Sequence, residues 1–254
     1  ILARPDAETV LSGFVLAGVL MMAAHGAFLY VNLARDLPRK DQKTAGVMNM
    51  KTMRSFQTPL IISNACIWLV MMAERWVLQY FGSPEEVGGY AAVYQLAFIP
   101  MLFVSNFLIL LMEPILYQMV AQEGKTASID QTRRVNNYAV FGILCFSAVL
   151  FLVLVFTYPM VGNMLLGAQF RSYAWLFPWL ILAGGCFAAT GQVLLKLNLA
   201  LRTDRLAVLW GGAAVVAVAG YTIGACFWQL KGILVAIVAV NILLLIFSLV
   251  FVRT

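Results

Sequence analysis

Charge and histidine are what this sequence has least of. Of 254 residues only 11% are charged, and His25 is the single histidine. Soluble domains carry about 25% charged residues, so a water-soluble fold is excluded. With one histidine, no conventional nucleophile–histidine site and no paired-histidine metal set is expected. The chain also has no G-x-x-x-x-G-K-[ST] phosphate loop and no G-x-S-x-G nucleophile elbow. Transport without a nucleotide site has to be ion-coupled, gradient-driven or passive. The four cysteines, Cys66, Cys145, Cys186 and Cys226, stand inside apolar runs without metal-type spacing. They are expected to be small buried hydrophobes, neither ligands nor disulfides. These absences predict no enzyme activity, no cofactor and no metal.

Apolar residues are abundant: 63% of the chain is hydrophobic and the mean hydropathy is +0.90. A bilayer core of about 30 Å is crossed by about 20 apolar residues in a helix. Seven such runs predict an all-α polytopic membrane protein, at roughly 10–33, 57–81, 88–117, 136–158, 173–200, 206–228 and 232–252. Of the 17 Lys and Arg residues, only Arg4, Arg75, Arg171 and Lys231 fall on one side of this topology. Positive charge collects on the cytoplasmic side, so the C-terminus is expected inside the cell. The net charge of +6 therefore belongs to membrane topology, not to nucleic-acid binding. Residues 35–55 form the longest polar connection. Two readings stand for it: a short helix on the anionic leaflet, or a solvated linker. The tract 158–170, with Leu165-Leu166-Gly167-Ala168, is too apolar to float free and reads as a re-entrant or interfacial turn.

Ionisable groups at membrane depth are costly and mark function. Glu74 and Arg75 lie in the second run, Glu74 about 22 Å beyond Pro59 and about 9 Å short of Tyr80 at 1.5 Å per residue. Helical spacing puts Asn64, Trp68, Arg75 and Gln79 on one face, and Ser63, Ile67 and Glu74 on another. This favours an Arg75 turned towards protein or water; an Arg75 snorkelling to headgroups, or paired with Glu74, is the plainer alternative. In the third run Gln95, Leu102, Asn106 and Glu113 share a face. Glu113 reads either as a titratable coupling site or as an interfacial acid near basic loops. In the fifth run Gln192 and Lys196 are one turn apart. Lys196 reads as a headgroup anchor or as part of an anion-attracting cavity. Asn241 and Ser248 share a face suited to hydrogen bonds between helices. His25 reads as a side chain bonded to a neighbour. The fourth run, with Asn137 and Ser147, reads as packing.

The stretch from Phe56 to Pro100 carries an ordered pattern: Pro59, Trp68, Glu74-Arg75, Phe81-Gly82, Val87-Gly88, Tyr90-Ala91, Tyr94-Gln95-Leu96 and Pro100. Further on come Pro114 with Tyr117, Leu166-Gly167 with Phe170, Pro178, and a closing helix after Lys231-Gly232. This pattern resembles the C-terminal lobe of bacterial polysaccharide flippases, the O-antigen and teichoic-acid type, whose superfamily includes drug extruders and lipid II flippases. Two departures stand out: Glu74 where that family more often has Asp or Asn, and Ile233-Leu234-Val235 where Gly-Ala-Ala is common.

The resemblance implies a two-lobe exporter of which 56–254 is one six-helix lobe. Residues 1–34 would be the last helix of a preceding lobe and 35–55 the basic linker. The start at Ile1 agrees with an upstream portion. The implied cargo is an undecaprenyl-pyrophosphate-linked oligosaccharide crossing the bacterial inner membrane, with membrane lipids and other polysaccharide-assembly proteins as partners. Arg75, Lys196, Asn64 and Gln79 are the candidates for binding pyrophosphate or glycan. Glu74, Glu113, Gln95 and Asn106 are the candidates for ion coupling or gating. A drug or lipid II exporter of the same fold, a membrane glycan polymerase or ligase, and an inactive structural half remain as rivals. The short outer loops and scarcity of catalytic groups weigh against the polymerase.

Overall fold

A computed structural model describes residues 50–122, 126–199 and 202–252, with isolated positions at 16, 19–21, 23, 24 and 27. Every element among the described residues is helical. The chain divides into two units, Ile1–Asn49 and Met50–Thr254. In the first, the described positions are helical and exposed. The rest of the predicted 10–33 span, His25 included, lies outside the described residues, as do 35–49 of the basic connection.

The second unit contains α1 (Met50–Phe81), α2 (Pro84–Gln122), α3 (Thr126–Leu165), a 3-10 helix (Ala168–Leu176), α4 (Phe177–Leu199) and the stretch Thr203–Phe251. The last stretch leaves helical geometry at Trp228 and Gln229. We call its halves α5 (203–227) and α6 (230–251). They fold back on each other: Gly224 lies backbone to backbone against Gly232, and Gly220 faces Ala236 and Val240. Among the described residues, five stretches are long and apolar enough to cross a membrane, the fifth being the 49 residues of this hairpin. Each half of the hairpin exceeds the 20 or so residues one crossing needs. The described residues are thus those of a helical, multi-pass membrane protein.

Local chemistry explains the boundaries. Between α1 and α2 only Gly82 and Ser83 are non-helical, a shorter connection than the gap between the predicted runs 57–81 and 88–117. The Ser83 hydroxyl accepts from the Glu86 N–H at 3.2 Å, and Glu86 Oε2 accepts from the Ser83 N–H at 3.2 Å. This reciprocal pair is a capping box, with Pro84 at the first helical position, where its missing N–H costs nothing. Residues 50–55, the end of the 35–55 connection, are helical and continuous with α1. The expected re-entrant turn at 158–170 is corrected. α3 runs through Pro159 to Leu165, because an apolar segment without water satisfies its backbone best by staying helical. The chain leaves the helix at Gly167, where Phe170 N–H bonds the Gly167 carbonyl at 2.8 Å.

α4 is the centre of the bundle. In the 168–198 span that contains it, 83% of the apolar 18-residue window is buried, against 17–22% in the spans of α1, α2 and α3. Small residues let neighbours close on it: Gly184 against Phe98 and Met101 of α2, and Gly185 against Ser147 of α3. Hydrogen bonds from side chains then clamp its backbone. Ser105 donates to the Ala188 carbonyl (3.0 Å), Ser147 to Ile181 (3.2 Å) and Asn136 to Gln192 (3.0 Å). α3 therefore packs, as the sequence predicts, but through polar contacts as well as apolar ones. The thiols depart from expectation: Cys186 alone is fully buried, while Cys145 and Cys226 are exposed. On an outward apolar face a thiol needs no protein cover.

Candidate functional site

The two faces predicted for α1 separate as helical spacing requires. Ser63 and Glu74 are buried, Glu74 to 2% exposure, and Ile67 is half-buried, while Asn64, Trp68 and Gln79 are exposed. Arg75, on the Asn64 face by spacing, is nevertheless half-buried. Its guanidinium lies over the Tyr94 ring, 4.6 Å from the centroid. This is cation–π geometry, and Tyr94 is itself stacked on Phe98 (4.6 Å, 13° between planes). The arginine neither snorkels free nor pairs with its neighbour. Its Nε and Nη2 and the Glu74 Oε2 are all buried without hydrogen-bond partners.

Glu74 points into the lobe. Its Oε1 accepts from the Tyr90 hydroxyl at 3.4 Å. One turn earlier the Val70 carbonyl accepts from the Tyr221 hydroxyl of α5 at 3.3 Å. Glu74, Val70, Tyr94, Tyr221 and Asn241 line a cavity about large enough for one water, with Phe98, Phe187 and Ile237 also on its wall. Three residues of that wall carry a buried oxygen with no partner: Glu74 Oε2, Tyr94 Oη and Asn241 Oδ1. Each such group costs about 1–3 kcal/mol if left unsatisfied. A largely apolar cavity of this size with three unpaired oxygens on its wall suits a single water molecule, or a proton carried on Glu74.

The remaining candidates do not join this cluster. Lys196 donates to Asn137 Oδ1 at 2.7 Å, beside a buried amide pair in which Gln192 Nε2 donates to Asn136 Oδ1 at 2.9 Å. The lysine stands about 14 Å along α4 from the cavity residue Phe187, so it belongs to an α3–α4 contact. Glu113 is half-buried, and Gln95 and Asn106 are exposed on α2. The bond between helices expected at Asn241 and Ser248 is a correction. Both donate within their own helix, to Ile237 (2.8 Å) and Leu245 (2.8 Å), where the carbonyls three and four residues back are always in reach.

Sequence reasoning found Glu74 and Arg75 but not the groups that hold them. Tyr90, Tyr94 and Tyr221 read as ordinary apolar-run aromatics, and Asn136 carried no signal. The one available cue is that Tyr90 and Tyr94 are a turn apart and enter α2 opposite the end of α1. No protein-family model matches the chain, and neither a curated protein nor a solved structure matches it.

Proposed function

We propose that this chain is one lobe of an exporter that flips an undecaprenyl-pyrophosphate-linked oligosaccharide across the bacterial inner membrane by ion-coupled alternating access. One observation carries the reading: polar side chains are exposed at membrane depth. Asn64 lies about 15 Å from the Arg54 end of the α1 span, and Gln95 and Asn106 lie about 15 Å or more from either end of the α2 span. All three are exposed. An amide facing hydrocarbon loses its hydrogen bonds to water at a cost of several kcal/mol. These faces are better suited to a wet passage than to lipid.

In this reading Arg75 attracts the pyrophosphate. A half-buried guanidinium braced by Tyr94 suits a doubly charged, multi-oxygen anion. Asn64 and Gln79 add neutral donors on the same helix. Glu74 faces away from that passage and serves as the coupling acid, with Tyr90 orienting it and the small cavity receiving the proton. Lys196 is a helix-packing residue in this scheme. The Lys and Arg bias places Thr254 in the cytoplasm. The test is Arg75→Ala in the full protein, scored as surface glycan at matched expression. A large loss is expected; undiminished export removes the arginine from substrate binding.

A further inference from the structure

The exposed face of α1 carries two indoles as well as amides. Trp68 and Trp76 remain 54% and 50% exposed and meet edge to face, ring centroids 5.2 Å apart at 68°. Asn64 stands one turn before Trp68, and Gln79 one turn beyond Trp76. Tryptophans of membrane helices collect at the headgroup level, and Trp76, near the Phe81 end, accords with that. Trp68 does not. It sits about 21 Å from Arg54 and about 20 Å from Phe81, at the middle of the Arg54–Phe81 span. Its neighbour Asn64, also exposed, rules out hydrocarbon as a comfortable surrounding.

We infer that Trp68 and Trp76, flanked by Asn64 and Gln79, form a platform for a pyranose ring of the glycan. This rests on the translocation reading above and assigns the sugar, as distinct from the phosphate, to this face. The chemistry is complementary. A pyranose presents C–H bonds on its faces, whose partial positive charge meets the negative face of an indole. Its equatorial hydroxyls project around the rim, where amides both donate and accept. Two indoles at a steep mutual angle offer one ring a floor and a wall. A platform of aromatic faces is tolerant of sugar identity, which suits a passage, whereas the charge at Arg75 holds the invariant end of the carrier.

The experiment compares two probes in nanodiscs containing the full protein: polyprenyl pyrophosphate bearing a disaccharide, and the same carrier without sugar. Trp68→Ala with Trp76→Ala is expected to weaken the glycosylated carrier about tenfold, two aromatic contacts' worth, and to leave the bare carrier unchanged. Trp68→Phe with Trp76→Phe should recover most of that loss. Because both indoles are half exposed, thermal unfolding should shift little in either variant. Equal loss for both probes, or loss with a large fall in melting temperature, would mean the indoles are covered by other helices, and the platform is refuted. If neither probe binds the unaltered protein, the translocation reading falls and the platform with it.

Discussion

Replacing Asn136 with leucine should destabilise the bundle more than replacing Gln192 with methionine, although these side chains are bonded to each other. Asn136 makes two contacts across the α3–α4 interface: Nδ2 donates to the Gln192 backbone carbonyl at 3.0 Å and Oδ1 accepts from Gln192 Nε2 at 2.9 Å. The Gln192 side chain contributes to only one of these, and its Oε1 is buried without a partner. Hydrogen bonds between membrane helices average about 0.6 kcal/mol and reach about 1.7. Gln192→Met removes the bond to Asn136, the weak contact to Met112 Sδ and an orphaned acceptor, so a net cost of about 0–0.6 kcal/mol is expected. Asn136→Leu removes both bonds and strands the Gln192 amide against Met112 Sδ, its other contact at 3.6 Å; about 1–3 kcal/mol is expected.

The double variant then decides the matter. With Asn136 already leucine, methionine at 192 removes the stranded amide, so the pair should be no less stable than Asn136→Leu alone. Reversible unfolding in mixed micelles, followed by circular dichroism, measures all four corners of the cycle. Strict additivity of the two single costs, or a Gln192→Met cost exceeding that of Asn136→Leu, would falsify the assignment of the backbone bond as the dominant clamp.

Other expectations follow from the same geometry. Glu74→Gln keeps the shape and the bond to Tyr90 but cannot carry a negative charge; transport should lose its dependence on the ion gradient while binding of the carrier persists, measured side by side in vesicles. Gly224→Ala would place a methyl 2.5 Å from the Gly232 carbonyl oxygen, forcing α5 and α6 apart at a cost of about 1–3 kcal/mol, read in the same unfolding assay. Gln229 turns the hairpin with φ of 49° and ψ of −128°, a region open mainly to glycine. Gln229→Gly should therefore stabilise by about 1 kcal/mol, the usual strain at such a residue less the added chain entropy.

How much of this was legible beforehand depends on whether the signal is local. Run lengths mark the crossings because the bilayer thickness is a one-dimensional constraint, and the break predicted between 228 and 232 falls where the backbone turns at Trp228 and Gln229. The division of α1 into a buried Ser63–Glu74 face and an exposed Asn64–Gln79 face follows from 100° per residue alone. Helix ends were less legible. Pro159 reads as a stop, yet in apolar surroundings its helix continues to Leu165.

The tertiary structure alone decided what each polar group meets. Glu74 shares its cavity with Tyr94, Tyr221 and Asn241, residues drawn from four helices and spread over most of the unit. No period links them, because which helices become neighbours depends on where glycines such as Gly185 and Gly224 permit close approach. The same packing gives Lys196 a partner in Asn137. Depth in the membrane is written in the order of residues; company within it is set by how the helices close on α4.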